Sequence, residues 1–424
     1  MLKRYSLKYG DQSINFSLDS NSIIQELYPQ DIEAIQDVES EVNMVLDYPL
    51  ASRPFDDLFA SGDKITIVAS DITRLVKLDQ YLPTLVKRLN ALGIPDEDIL
   101  VLIATGTHRG QTEEEKKKIV GEELFKRLKV VDHDCDRSPM THVGKTVRGT
   151  EVYVNSLVVE RKVILTGGIV HHLMAGFGGG RKSIVPGVSS RQTIALNHLH
   201  ALDPEAERSN PLIGVGVLEN NPLHEDMVDA ARLVNPDFLV NAIIHTDGRI
   251  AKLVAGDWLE AWNAGCHWAD QKYGIPIREK ADLVIASCGG FPKDISLYQA
   301  TKTLFNAVLA VKDGGTILML AECREGAGAE AFFGWSAPLK EGRLDPELRH
   351  NFTIPGYIFY AAVEAAHKAR VILLSQIDPD LVQPMGIQGV RSLAEALEVA
   401  DVKQTQRILV MPFGGATIPL YTSI

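Results

Sequence analysis

Cysteine is scarce in this sequence, with four residues among 424. They are Cys135, Cys266, Cys288 and Cys323, and none has a neighbour at C-x-x-C spacing. This argues against a zinc ribbon and against a dithiol redox motif. So few cysteines in so long a chain are typical of reduced thiols, and we expect a cytoplasmic protein.

Long apolar runs and an excess of basic residues are also missing. No uncharged apolar stretch approaches the roughly 20 residues that a membrane span needs, and the first ten residues lack the apolar run of a signal peptide. The formal net charge is −12, whereas a surface that binds nucleic acid is basic. We therefore expect neither a membrane nor a nucleic acid as partner, which still leaves room for a local basic pocket that binds one small anion.

Strand-like and helix-like segments alternate along the chain. Continuous apolar runs, typical of strands covered on both faces, predict strands over residues 64–69, 99–104, 162–166, 238–244, 283–287, 316–320, 371–375 and 408–411. Helical patterns between them predict helices over residues 78–92, 112–128, 192–202, 224–234, 258–273, 297–311, 357–367 and 393–400. This alternation predicts an α/β fold whose sheets are mostly parallel and are flanked by helices.

The length of the chain favours two domains. The strand pattern pauses near Ile275–Lys280, and a new strand–helix–strand series begins at Ala281. We therefore predict an N-terminal domain over residues 1–274 and a C-terminal α/β domain over residues 275–405. The last predicted strand could return to complete the first domain through residues 406–424, and the sequence leaves this open.

The most informative segment is rich in glycine and follows the strand predicted over residues 162–166. Gly178, Gly179 and Gly180 stand directly before Arg181 and Lys182. Loops after the carboxyl ends of parallel strands are where α/β folds bind ligands, and glycines allow backbone amides to turn toward an anion. The segment matches neither a Walker loop nor a dinucleotide fingerprint, because Arg181 interrupts both patterns. We interpret it as a phosphate cradle of another kind, in preference to a simple turn between strand and helix.

Three histidines lie where strand ends and helix starts would converge. His108 follows the strand predicted over residues 99–104, His172 precedes the glycine cluster, and His198 lies on the helix after it. An imidazole can move a proton near pH 7 or bind a transition metal. His198 and His200 are two apart on one helix, so at most one of them serves the site. No His-x-x-x-His or His/Cys cluster predicts an all-protein zinc site.

Two further groups of polar residues suit a small anionic ligand. Arg74 could hold a carboxylate or a phosphate through two parallel hydrogen bonds, and Asp71 could accept from a ribose hydroxyl. A helix cap with a surface salt bridge explains Asp71 and Arg74 equally well. In the second domain, Gln299 and Lys302 are three apart and share a helix face. They could hold a hydroxyl and a carboxylate from across an interdomain cleft, where we expect the active site.

Taken together, these motifs resemble the nickel-pincer lactate racemase family. The motifs are, in order, Asp-x-Thr-Arg, Ala-Thr-Gly-Thr-His-Arg, His-x-x-Ala-Gly-Phe-x-Gly-Gly-Arg-Lys-Ser, Asn-His and Tyr-Gln-x-x-Lys, and they run from about Ser70 to Lys302. Two positions depart from the family pattern: Leu75 stands where proline is common, and Phe291 stands where tyrosine is often found. The resemblance implies a racemase or epimerase of a small 2-hydroxy acid, with lactate as the default substrate.

The resemblance also implies a cofactor, the nickel-pincer nucleotide Ni(II)-pyridinium-3,5-bisthiocarboxylic acid mononucleotide, which cofactor-biosynthesis enzymes would supply. Lys182 would be the lysine that can join it through a thioamide, and His198 would be the protein ligand to nickel. The remaining cofactor-binding residues would be Asp71, Ile72, Thr73, Arg74, Gly178, Gly179, Gly180 and Arg181.

In the family's mechanism, which the resemblance implies here, a histidine takes the hydroxyl proton while hydride passes from the α-carbon to the cofactor. The transient 2-keto acid turns and receives the hydride on its other face. His108 and His172 would be the two acid–base residues, one for each enantiomer; the spacing to Lys182 favours His172 over His171.

Arg74, Gln299 and Lys302 would position the substrate, and Trp335 and Tyr357 could shape the pocket. Two other functions compete with this interpretation. A nicotinamide-dependent 2-hydroxy-acid dehydrogenase would use a similar histidine and arginine, and a non-enzymatic phosphate- or nucleotide-binding protein would use the glycine loop. The sequence leaves the oligomeric state open.

Overall fold

A computed structural model of the chain describes residues 1–30, 32–245, 247–402 and 406–421. The chain divides into two compact units. The N-terminal unit comprises Ile32–Pro204 and Asn210–Gln271, and the C-terminal unit comprises Met1–Asp31, Glu205–Ser209 and Lys272–Ile424. Among the described residues, no helix combines the length and the apolar character needed to cross a bilayer.

Helices and strands alternate over most of the described chain. The strands are β1 Leu2–Tyr9, β2 Gln12–Asp19, β3 Ile23–Glu26, β4 Ile65–Ser70, β5 Ile99–Ala104, β6 Lys129–Asp132, β7 Met140–Lys145, β8 Glu151–Asn155, β9 Lys162–Gly168, β10 His171–His172, β11 Ala175–Phe177, β12 Gly214–Val215, β13 Phe238–Ile244, β14 Ile250–Gly256, β15 Gly274–Ile277, β16 Ala281–Ser287, β17 Val311–Leu320, β18 Arg370–Leu374, β19 Ile387–Val390, β20 Ile408–Met411 and β21 Ile418–Tyr421. The helices are α1 Val38–Asp47, α2 Leu78–Ala91, α3 Glu113–Val120, α4 Glu122–Arg127, α5 Arg191–His198, α6 Pro222–Val234, α7 Glu260–Tyr273, α8 Leu297–Ala310, α9 Glu330–Phe333, α10 Ser336–Lys340, α11 Leu344–His350, α12 Ile354–Lys368, α13 Pro379–Val382 and α14 Leu393–Val399.

The N-terminal unit is built on a six-stranded sheet in the order β14-β13-β9-β4-β5-β6. All its neighbouring strands are parallel except β13 and β14. The central strands carry continuous apolar runs because both faces are covered, and Ile67, Val101 and Ile164 share one core with Leu82 and Leu85 of α2. Because β9, β4 and β5 are adjacent, the loops after their carboxyl ends meet at one edge of the sheet.

The C-terminal unit is built on a second six-stranded sheet, in the order β19-β18-β17-β16-β20-β3, and all its strand pairs are parallel. The antiparallel hairpin β1–β2 packs Tyr5, Leu7, Phe16 and Leu18 into the core of this unit. The two sheets and their flanking helices confirm the predicted α/β class with mostly parallel sheets.

Strand pairing shows where the two ends of the chain lie. The strand β20, whose domain the sequence left open, pairs with β16 and with β3 in the C-terminal unit. The first thirty residues also group with this unit, whereas we predicted them in the first domain. The physical reason is that β3 adds to the sheet edge that β20 presents. The helix predicted over residues 112–128 divides into α3 and α4, because Gly121 between them has φ +86°.

Candidate active site

Asp71 and His108 form a hydrogen-bonded pair after β4 and β5. Asp71 caps a 3₁₀ turn over Ile72–Arg74 and accepts from both the backbone amide and the hydroxyl of Thr73. Its other oxygen, Oδ2, lies 2.5 Å from Nδ1 of His108. Burial raises the pKa of Asp71, but hydrogen bonds from His108 and Thr73 outweigh it, so that the pKa of the carboxyl group is lowered. The ionised Asp71 therefore fixes Nδ1–H of His108 as a donor, so that the neutral form of the ring has its lone pair on Nε2.

Arg74 stands at the end of the same turn with an exposed side chain. Within the described part of the chain, its guanidinium group donates to Thr73 alone, to the backbone carbonyl at 3.2 Å and to the hydroxyl at 3.3 Å. Ile72 donates its amide to Oε1 of Gln111 at 3.2 Å, so the loop after β5 holds the turn that carries Arg74. Most of the Arg74 fork is thus available for an anionic ligand.

His172 and Lys182 form the second pair, on β10 and on the 3₁₀ turn Gly180–Ser183. Nε2 of His172 lies 3.1 Å from Nζ of Lys182. Nδ1 of His172 accepts from the backbone amides of Met174 and Ala175, both at 3.2 Å. Burial lowers the pKa of His172 and of Lys182 well below their ordinary values, and the charge of Arg74 acts in the same direction on both.

His171, the neighbour of His172, points elsewhere. Its Nε2 lies 3.1 Å from Oδ1 of Asp270, and its ring packs against Phe177 with centroids 4.6 Å apart. His172 is therefore the histidine of the two that contacts Lys182, and that it faces the substrate stays a prediction.

His198 is buried at the last position of α5, with 1% of its surface exposed. Its Nδ1 lies 2.9 Å from the backbone carbonyl of Ile194, which fixes the proton on Nδ1 and the lone pair on Nε2. Burial, with the charge of Lys182, lowers the pKa of His198 to about 3, so the ring is neutral at physiological pH. A neutral imidazole of fixed tautomer is the form that binds a transition metal.

Asn197, next to His198, anchors this end of the helix. Its Nδ2 donates to Oδ2 of the fully buried Asp226 at 2.8 Å, and Thr146 and Thr150 donate to the same carboxylate. His200 also turns toward Asp226, with Nε2 and Oδ2 3.7 Å apart. His198 and His200 therefore lie in different surroundings, and that at most one of them serves the site stays a prediction.

The glycine cluster meets a packing requirement. A Cβ on Gly179 would lie 2.5 Å from Oδ1 of Asn241, and a Cβ on Gly180 would lie 2.5 Å from the ring of Trp262. The amides of Gly178 and Gly180 donate to Val170 and Asn241, so these two N–H groups are used inside the protein. The cluster thus places the turn that carries Lys182 tightly against β13 and α7.

Arg181 points into the core, and its surface is fully buried. Its guanidinium group stacks on Trp262 at 3.9 Å and donates to Nδ1 of His224 and to the carbonyls of Ala175 and Phe177. Burial lowers its pKa to about 9. The side chain that we expected at the ligand instead fixes the backbone of the segment that precedes Lys182.

The residues predicted in the C-terminal unit have partners within that unit. Nζ of Lys302 donates to Oε1 of Gln299 at 3.0 Å on the exposed face of α8. Tyr357 is buried and donates to Ser209 at 3.0 Å, and Trp335 packs against Gly356. Tyr357 and Trp335 are thus part of the packing around α12.

Three residues that support the site were missing from the sequence interpretation: Gln111, Asn241 and Trp262. Asn241 gave a usable signal, because it is a polar residue within the apolar run of β13 and buried polar groups are rarely without a purpose. Gln111 and Trp262 gave none, since their roles depend on contacts across distant parts of the chain.

The donor set bears on whether the site could hold a metal cofactor. Across the described ranges, ligand atoms of three His, Cys, Asp or Glu residues converge only at Asp134, Cys135 and Asp136, and His198 is not among them. A metal at His198 would therefore need most of its ligands from a non-protein group. The neutral His198 and the amine of Lys182, whose charge acts on His198, fit a cofactor that brings its own metal ligands and is anchored by a lysine.

Known proteins resemble the chain over nearly its whole length. A family model described as the lactate racemase N-terminal domain matches residues 9–209, and one described as the lactate racemase C-terminal domain matches residues 277–418. The lactate racemase of Lactiplantibacillus plantarum is 32% identical over 425 residues, covering 96% of this chain and 97% of that protein. The lactate racemase of Thermoanaerobacterium thermosaccharolyticum is 32% identical over 428 residues, covering 97% and 98%.

Solved structures agree with this. The lactate racemase apoprotein from Thermoanaerobacterium thermosaccharolyticum is similar with a TM-score of 0.86 and 31% identity, over 99% of this chain and 100% of that one. A protein from Thermotoga maritima, 18% identical with a TM-score of 0.61 over 93% of this chain and 100% of that one, shares the fold alone. The chain therefore belongs to the lactate racemase family and is an isomerase, which confirms the family and the enzyme class predicted from its sequence.

Proposed function

We propose that the chain is a 2-hydroxy-acid racemase, with lactate as the default substrate, in which His108 and His172 are the alternate acid and base. The observation that carries this proposal is that the two imidazoles are held in opposite tautomers. Asp71 accepts the Nδ1 proton of His108, so Nε2 of His108 is a base. Two backbone amides donate to Nδ1 of His172, so its Nε2 carries a proton that can be donated in a hydrogen bond.

Inversion of a 2-hydroxy acid needs such a pair. The hydroxyl group must lose its proton while the α-carbon loses hydrogen, and it must regain a proton when the hydrogen returns to the opposite face. His108 is prepared to take a proton, and the Nε2–H group of His172 is prepared to donate a hydrogen bond to the substrate oxygen. Asp71 further stabilises the imidazolium that forms on His108, as a carboxylate does in other acid–base pairs.

Arg74 is the proposed partner of the substrate carboxylate. Its fork is exposed, lies on the turn capped by Asp71, and can bind a carboxylate through two parallel hydrogen bonds. Such a clamp holds the reacting carbon in one place while the hydroxyl exchanges its proton. Gln299 and Lys302, linked by a hydrogen bond of 3.0 Å, remain our candidates for further substrate contacts.

The proposed cofactor is the nickel-pincer nucleotide, and when bound it would supply a reversible acceptor for the hydrogen of the α-carbon as hydride. Nε2 of His198 would be the protein ligand to nickel, and Lys182 would anchor the organic part. Asp71, Ile72, Thr73 and Arg74 would line it, while Gly178, Gly179, Gly180 and Arg181 would hold the turn that presents Lys182. Enzymes that build the cofactor are implied as partners, and we propose the cytoplasm as the site of action.

The test is to produce the chain together with the cofactor-building enzymes and to measure bound nickel, intact mass and inversion of a panel of 2-hydroxy acids by chiral chromatography. We expect nickel and redox-neutral inversion of at least one acid. His108→Ala and His172→Ala should each abolish inversion, and His108→Ala should retain nickel, whereas His171→Ala, which removes the neighbouring imidazole, should keep both inversion and nickel. Full turnover in both of the first two variants, or a change in nicotinamide absorbance during turnover, would contradict the proposal.

A further inference from the structure

The contact between His172 and Lys182 has a definite direction. The two nitrogens, Nε2 and Nζ, are 3.1 Å apart, a normal hydrogen-bond distance. A lysine ammonium group has three donors and no acceptor, whereas a neutral amine also carries a lone pair. The protonation state of His172 therefore decides whether Lys182 is a charged ammonium group or a neutral amine.

The backbone around His172 sets that protonation. Met174 and Ala175 both direct their N–H groups at Nδ1, each at 3.2 Å. A ring nitrogen that accepts from two donors cannot itself carry a proton, so the ring is neutral and its proton is on Nε2. That proton points at Nζ of Lys182, and only an uncharged amine can accept it.

The charges around the pair favour the same state. Lys182 faces the guanidinium groups of Arg181, on its own turn, and of Arg74, on the turn after β4, while His198 on α5 acts on His172. Burial and these cations all lower the pKa of the Lys182 amine. Lys182 is half-buried, so a small reagent can still reach it.

We propose that His172 is the positioning residue that keeps Lys182 uncharged and nucleophilic before a cofactor is attached. This inference rests on the proposed function, because it concerns how the anchoring lysine becomes reactive. In the attachment, Nζ of Lys182 forms a bond to a thiocarboxylic acid carbon, the C–O bond breaks, and an amine proton leaves with that oxygen as water. Nothing is oxidised or reduced.

The same hydrogen bond means that His172 acts on Lys182 first and in acid–base catalysis afterwards. While Lys182 is an unattached amine, its Nζ accepts the hydrogen bond from Nε2–H of His172. Once Nζ is part of a thioamide, its lone pair is delocalised and it is a poor acceptor, so Nε2–H becomes available to the substrate hydroxyl. Attachment of the cofactor thus ends the hydrogen bond from His172 to the lysine and makes His172 available for acid–base catalysis.

The test uses the full cofactor-free chain and trace acetic anhydride over a range of pH, with acetylation of each lysine measured by peptide mass spectrometry. The reference is Lys126, whose side chain is 73% exposed. We expect Lys182 to reach its full reactivity at a pH well below that of Lys126. His172→Ala should lower the reactivity of Lys182 near pH 7 at least about tenfold, the effect of one pKa unit.

Two matched variants distinguish hydrogen-bond donation to Lys182 from an effect of side-chain packing. His172→Gln retains an N–H that can donate to the amine, and it should keep most of the reactivity of Lys182. His171→Gln changes the adjacent ring, which pairs with Asp270, and should have no effect. Reactivity of Lys182 that titrates together with Lys126, or that is unchanged in His172→Ala, would overturn the inference.

A second measurement decides the case in which acetic anhydride fails to label Lys182 at any pH. The imidazole ¹⁵N chemical shifts of His172 in the unmodified protein report which ring nitrogen carries the proton. Protonated Nε2 with unprotonated Nδ1 supports the inference, and any other state overturns it. Neither measurement uses substrate or cofactor, so normal labelling in a protein that inverts no 2-hydroxy acid would contradict the proposed function alone.

Discussion

Replacing Asp71 by Asn tests the acid–base pair most directly, because the change is nearly isosteric and Oδ2 of the carboxylate accepts the hydrogen bond from His108. Oδ2 of Asp71 lies 2.5 Å from Nδ1 of His108, and the side chain is 4% exposed. An amide NH₂ placed at Oδ2 would donate to Nδ1 and move the ring proton to Nε2. His108 would then face the substrate as an acid instead of a base.

The magnitude follows from two effects. Loss of a hydrogen bond to a charged group costs about 1.5–3 kcal/mol, or roughly 10- to 150-fold in rate at 1.36 kcal/mol per tenfold. The wrong tautomer adds to this, and in a serine protease the same Asp-to-Asn change lowers kcat by about 10⁴-fold. We therefore expect kcat/KM for Asp71→Asn to fall between about 10²- and 10⁴-fold.

The assay is inversion from each enantiomer separately, measured by chiral chromatography on cofactor-loaded protein. Because enantiomers have equal free energies, kcat/KM must fall by the same factor in both directions, and only kcat and KM taken singly can differ. Asp270→Asn is the matched control, since it alters a His–Asp contact at His171 outside the proposed catalytic pair. If kcat/KM of Asp71→Asn stays within about threefold of that of the control, His108 does not act as a base oriented by Asp71.

Three further predictions concern metal content and stability. His198→Ala should be purified with little nickel, while His142→Ala, on a surface hairpin, should keep it; equal nickel in both would contradict the ligand assignment. Gly180→Ala should lower the free energy of unfolding by about 1–3 kcal/mol, because its Cβ would lie 2.5 Å from Trp262 and its φ is +53°; denaturant unfolding with no shift would show that the turn can adapt. Hydrogen bonds from His108 and Thr73 lower the pKa of Asp71 despite burial, so ionised Asp71 stabilises the fold above about pH 4, and this contribution is lost as the pH falls through the folded-state pKa. Asp71→Asn should therefore lose less stability than the parent between about pH 5 and about pH 3, and parallel curves would count against the lowered pKa.

Much of the fold could be predicted from the sequence because the central strands are buried on both faces. Strands such as β5 and β13 are continuous apolar runs that periodicity and length identify, and their predicted bounds agree with the structure. Edge elements gave weaker signals. The hairpin β1–β2 alternates exposed and buried residues, and β3 has four half-buried residues, so neither produces an apolar run.

Prediction of the site depended on a different kind of information. Strand-end positions indicated that the loops after β4, β5 and β9 would meet, and Asp71, His108 and Lys182 indeed follow these strands. The direction of each side chain could not be predicted, because it is fixed by distant partners. Arg181 illustrates this. From the sequence, its charge predicted a contact with a bound anion, yet Trp262 and His224 hold the side chain in the core.

The pairing of β3 with β20 has a consequence for how the protein is made. Of the two neighbouring strands of the second sheet, β3 is synthesised well before β20, so their contact closes a loop of nearly four hundred residues. Such long-range pairing is slow and is completed late. On the ribosome, the N-terminal unit can fold first, while the hairpin and β3 remain without their sheet until the last strands emerge. Removal of the first thirty residues should accordingly damage the C-terminal unit more than the N-terminal one.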